Sequence, residues 1–91
     1  MKPPTRPDSR IDRLLVPDVG MDGGELMLSL WLVPEGTRVL EGDRVVELVC
    51  GAATIDLESP VCGRLVRQLV GEDFPVATGT AIAEFLSADE V

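Results

Sequence analysis

Val45–Pro60, VVELVCGAATIDLESP, is the stretch that decides the fold. Two short runs rich in β-branched and aliphatic residues flank Gly51-Ala52. The pattern reads as a hairpin with a two-residue turn. With Gly51 and Ala52 as the central turn residues, the pairing follows. Cys50 faces Ala53, Leu48 faces Ile55, and Val46 faces Leu57, an apolar set. Val49 then faces Thr54 and Glu47 faces Asp56, which puts the acids on the opposite face. A slip of one residue would mix the two sets, so the register is well specified. Glycine at the first central position suits a type I′ or II′ turn, and alanine at the second favours II′.

The rest of the chain has the same character. No window of eleven or more residues sustains a 3.6-residue period, and short Val/Leu-rich runs alternate with Gly, Pro and Asp. Strands are expected over 13–16, 26–33, 38–40, 44–50, 53–58, 64–69, 75–77 and 81–86. This many short strands in 91 residues means an all-β barrel or sandwich. Residues 1–11 carry three prolines and read as a flexible leader, 12–87 as the domain, and 88–91 as an acidic tail. An internal repeat appears at an offset of 37 residues. Val39 aligns with Val76, Gly42 with Gly79, Val45 with Ile82, Val46 with Ala83, Glu47 with Glu84 and Leu48 with Phe85. Two similar halves about a pseudo-twofold axis are therefore expected.

Composition excludes several classes of function. Sixteen acids against eight bases give a net charge of −8, which disfavours nucleic acid and anionic membrane surfaces. There is no histidine and no tyrosine, which removes imidazole metal sites and His-based acid–base catalysis. The only lysine is Lys2. With no secretory apolar segment, the expected compartment is the cytoplasm. Cys50 sits at the hairpin tip and Cys62 beyond its far end. At ~3.3 Å per residue they lie about 20 Å or more apart, so no disulfide is expected.

The sequence resembles the biotinyl/lipoyl domain family, most closely the lipoyl domains of 2-oxo acid dehydrogenase complexes. The resemblance rests on LLVPDVGMDGGELMLSLWLVPEGTRVLEGDRVVEL and ATIDLESPVCGRLVRQLVGEDFPVATGTAIAEF, residues 14–48 and 53–85. Within these, VPDVG is similar to the family's first strand and loop. GTRVLEGD is similar to its Gly-x-x-Val-x-x-Gly-Asp turn, SPVCGRLV to its return strand, and GEDFPVATGTAIAEF to the closing repeat of the turn. The resemblance implies a flattened barrel, or barrel-sandwich hybrid, of two antiparallel sheets with quasi-twofold symmetry. It also implies a carrier role without an active site of its own. In the family a lysine at the hairpin tip, within Asp-Lys-Ala, takes lipoic acid or biotin through its amine.

Here the sequence departs from the family. The match puts Gly51 on the family's Asp and Ala52 on its Lys, so neither lipoyl nor biotin can be attached. Three accounts are open. In the first, the chain is a degenerate lipoyl domain kept as a non-modified interaction or structural module linked to a 2-oxo acid dehydrogenase-type complex. The joint loss of Asp and Lys favours this account. In the second, it is an acyl-carrying lipoyl domain of a dihydrolipoamide acyltransferase, unmodifiable only in this altered form. In the third, it is a sibling on the same fold, such as the lipoyl-like domains of efflux-pump adaptors, although those are split by a long helical hairpin. A protein partner is implied, with 2-oxo acid dehydrogenase components as candidates; nucleic acid and membrane are not.

Other residues have ordinary readings. Cys50 belongs to the apolar pairing set and reads as core rather than as a reactive thiol. Trp31 reads as core or half-buried. Asp43 reads as a turn residue bonding its own backbone. Glu41, Asp43, Glu47, Asp56 and Glu58 read as a solvated face; the resemblance to lipoyl domains implies, as the alternative, that acids near the hairpin help partner enzymes recognise the domain. Asp18, Asp22 and Glu25 lack calcium-loop spacing, and no metal is assigned to them.

Overall fold

Alternation of aliphatic and polar residues, interrupted by glycine turns, yields eight strands in the computed structural model, which describes residues 9–19 and 25–88. In chain order they are β1 (Ser9–Leu15), β2 (Leu26–Trp31), β3 (Arg38–Val39), β4 (Arg44–Cys50), β5 (Ala53–Glu58), β6 (Gly63–Gln68), β7 (Phe74–Pro75) and β8 (Ala81–Ala88). They form two four-stranded antiparallel sheets, ordered β1-β8-β6-β3 and β5-β4-β2-β7. The all-β expectation holds. The expected leader and tail, apart from residues 9–11 and 88, lie outside the described residues.

The 37-residue offset relates the two sheets strand by strand: β2 to β6, β3 to β7 and β4 to β8. The hydrogen bonds repeat with it. Leu32 N–H donates to the Val45 carbonyl and Leu69 N–H to that of Ile82, both at 2.9 Å. Gly36 N–H donates to Leu65 O, and Asp73 N–H to Leu28 O, both at 2.6 Å. Gly36 and Asp73 are themselves 37 apart and share positive φ, at 93° and 70°. Asp73 is the only non-glycine residue with positive φ among those described. It holds that conformation because it occupies the second copy of the Gly36 turn, and a short polar side chain tolerates the left-handed region.

Even the irregularities repeat. Pairing skips Ser29 between β2 and β4, and Val66 between β6 and β8. It skips Val45 between β4 and β5, and Ile82 between β1 and β8. Such bulges bend strands and increase their twist, which curls each sheet over the shared core. The bulges at Val45 and Ile82 break the inward–outward alternation. Val45 with Val46, and Ile82 with Ala83, are therefore adjacent residues that are both buried.

The core contains Leu28, Leu48, Leu65 and Phe85 with those four residues, all fully buried, and is closed by Val16, Val39 and Leu57. Gly63 fixes the approach of β6 to β8. A Cβ there would lie 2.2 Å from the backbone oxygen of Leu86, so no larger residue fits.

The strand limits differ from expectation mainly at the edges. β1 begins at Ser9 rather than Arg13, inside the expected leader, because its polar first half pairs residue by residue with β8 out to Ala88. β2 ends at Trp31, two residues short of the expected Val33.

Candidate functional site

The hairpin tip is built from its base upward. β4 is held on both sides, by β2 from Leu26↔Cys50 to Trp31↔Val46 and by β5 from Cys50↔Ala53 to Arg44↔Glu58. All five expected pairs between β4 and β5 are present. Leu48 and Val46 are fully buried, Cys50 is 9% exposed and Leu57 8% exposed. The inner face of the hairpin is thus anchored in the core up to the last residue before the turn. Gly51 and Ala52 are then released into solvent, both exposed.

Gly51 has φ +61°, while Ala52 does not have positive φ. A positive value at the first central position alone is the pattern of type II′, not I′. A tight turn on a two-sided strand projects its second residue outward from a rigid base. What is displayed here is a methyl group. The tip offers no amine, and the Cys50 thiol below it is buried and free.

The outer face below the tip is acidic. Glu47 faces Asp56 across the strands, with Arg44 Nη1 3.8 Å from Asp56, and Glu58 is exposed beside them. Asp43 serves its turn as expected, its carboxylate accepting the Leu40 N–H at 2.8 Å. Glu41 is exposed. Trp31 is half-buried and donates its indole N–H to the Val70 carbonyl at 2.9 Å. Cys62 is free and exposed. No three His, Cys, Asp or Glu residues gather as a metal site among the described residues, and Asp22 lies outside them.

No family model matches the chain. It is 29% identical over 75 residues to the dihydrolipoyllysine-residue acetyltransferase component of the acetoin cleaving system of Pseudomonas putida. It superimposes on a single-chain, multi-domain long-chain acyl-CoA carboxylase with a TM-score of 0.65, at 20% identity, over 99% of its own length. Both comparisons support the resemblance to the biotinyl/lipoyl family read from the sequence, the first by sequence and the second by fold. The match to the acetyltransferase component takes in 82% of the chain but only 20% of that relative, and the carboxylase match only 8% of the carboxylase. The chain therefore spans only a small part of the length of each.

Proposed function

We propose that this is a lipoyl/biotinyl-like domain acting as a non-modified interaction or structural module of a 2-oxo acid dehydrogenase-type assembly. Ala52 takes the place of the attachment lysine and Gly51 that of the preceding Asp. One observation carries the reading: the tip is a well-anchored display hairpin whose displayed residue has no amine, in a chain with no lysine beyond Lys2. Amide formation with lipoate or biotin needs a primary amine as nucleophile, and no other side chain at the tip supplies one. Binding and assembly are what such a domain still offers.

The partner in this reading is a protein, with 2-oxo acid dehydrogenase components as candidates, and the compartment is cytoplasmic. The acidic strip of Glu47, Asp56 and Glu58 beside the tip gives a partner a charged surface to read. No helix of the described residues is long and apolar enough to cross a membrane. The domain has no active site of its own.

A second reading is supported by the acetyltransferase relative. On it, the domain is the acyl-carrying lipoyl domain of a dihydrolipoamide acyltransferase, unmodifiable only in this form. The intact mass of the native chain after co-expression with lipoate and biotin ligases tests the module reading. An unchanged mass is expected, and a lipoyl or biotinyl mass gain on the folded domain would overturn it.

A further inference from the structure

Six arginines are described, in a chain with two acids for every base. Four of them pair with carboxylates: Arg10 with Asp12, Arg44 with Asp56, and Arg13 and Arg67 with the two oxygens of Glu84. The other two, Arg38 and Arg64, make no ion pair among the described residues. They stand directly opposite one another on β3 and β6. Arg64 donates to the Gly36 carbonyl at 2.8 Å, and Arg38 has no partner among the described residues. Like charges facing across strands are destabilising. In so acidic a chain, an unpaired arginine couple is a local conflict that the fold itself does not resolve.

The couple borders a cleft of about 440 Å³, also lined by Leu40, Cys62, Gly63 and Leu86. That volume lies within the range of small-molecule sites. Its apolar walls are open to solvent, with Leu40 63% and Leu86 39% exposed. Leu86 pairs with Arg64 on one side and Ile11 on the other, so the row Arg38–Arg64–Leu86–Ile11 runs from cationic to aliphatic across the sheet.

We propose that this cleft binds a small carboxylate carried on an aliphatic chain. The two guanidiniums would clamp the carboxylate, which relieves their mutual repulsion through charge-assisted bonds. The chain would lie over Leu86 and Leu40. Without the anion the couple is unrelieved; without the chain the apolar walls gain nothing. The site lies on the sheet opposite to the β4–β5 hairpin and does not depend on whether the tip is loaded.

Titrating the isotopically labelled full chain with hexanoate, acetate and hexanol at constant ionic strength, followed by amide NMR, tests this. Saturable shifts confined to residues around Arg38, Gly63, Arg64 and Leu86 are expected with hexanoate. Acetate and hexanol should each bind about tenfold or more weakly. Arg38→Gln or Arg64→Gln should weaken hexanoate about tenfold, and Arg13→Gln should leave it unchanged. Hexanoate should also slow alkylation of the Cys62 thiol by iodoacetamide. Equal response to acetate, shifts spread over the molecule, or full binding by either cleft variant would overturn the proposal. Thermal melts without ligand add a check: Arg38→Gln should leave the midpoint unchanged or raise it. A lowered midpoint would make the couple structural and overturn the site.

Discussion

Trp31 and Gln68, 37 residues apart, make the same pair of hydrogen bonds from opposite sheets. The Trp31 backbone N–H donates to the Glu72 carboxylate at 2.9 Å, and its Nε1–H to the Val70 carbonyl at 2.9 Å. The Gln68 backbone N–H donates to the Glu35 carboxylate at 2.7 Å, and its Nε2 to the Val33 carbonyl at 3.0 Å. Both side chains line one open hollow where the connections after β2 and β6 meet. An indole and a primary amide share nothing in shape. Each supplies one N–H donor at the same point of the repeat, and that is what the position requires.

The equivalence predicts equal consequences. Trp31→Phe and Gln68→Leu should each lower the free energy of unfolding by about 1 kcal/mol, the usual net worth of such a bond. Urea denaturation of the two variants measures this. A loss in one and none in the other would show that the two bonds are not equivalent.

Gly63 and Gly71 should behave oppositely. At Gly63 an added Cβ runs into β8 backbone, whereas at Gly71 it meets nothing within 4 Å. Gly63→Ala should therefore destabilise by about 3 kcal/mol, at the upper end for overpacking, because the obstructing atom cannot rotate away. Gly71→Ala should be neutral or stabilise by about 0.5 kcal/mol through the unfolded chain. Thermal or urea melts of both variants decide the point.

The two thiols should differ sharply in access. Cys62 is exposed, its sulfur accepting the Glu41 N–H at 3.3 Å, while Cys50 is buried beneath the tip. A thiol-reactive dye should titrate one cysteine promptly in the native protein and the second only on unfolding. Prompt reaction of both would show that the hairpin end opens.

Glu84 bridges Arg13 and Arg67, but both arginines are largely exposed, at 62% and 67% of the side chain. Arg13→Ala or Arg67→Ala should each change stability by less than about 0.5 kcal/mol, and less still in high salt. Chemical denaturation at low and high ionic strength checks both values.

Much of this was legible in the sequence, for physical reasons. In the β4–β5 hairpin one face must be apolar, so composition alone selects the register, and all five expected pairs are found. The repeat was legible because Val45/Ile82 and Gly42/Gly79 occupy positions where burial or positive φ restricts the choice of residue. The bulges were not, since skipping Ser29 or Val66 is a backbone event that leaves no mark on side-chain type. Nor was the Trp31–Gln68 equivalence, because the position selects a donor rather than a shape. The start of β1 was hidden because Ser9 and Arg10 look like linker, yet β8 has a free edge for them to pair. Arg38 opposite Arg64 lay outside the hairpin logic, since it depends on how β3 meets β6.

The proposed function treats Gly51-Ala52 as an attachment hairpin without its attachment residue. The measurement that reaches it most directly is the intact mass and fragment map of Gly51→Asp/Ala52→Lys after incubation with lipoate ligase, lipoate and ATP. Asp tolerates the positive φ at the first position, so the turn should survive. A gain of one lipoyl group, mapped to the hairpin tip, is expected. A folded variant that gains nothing, or gains it elsewhere, would contradict that reading.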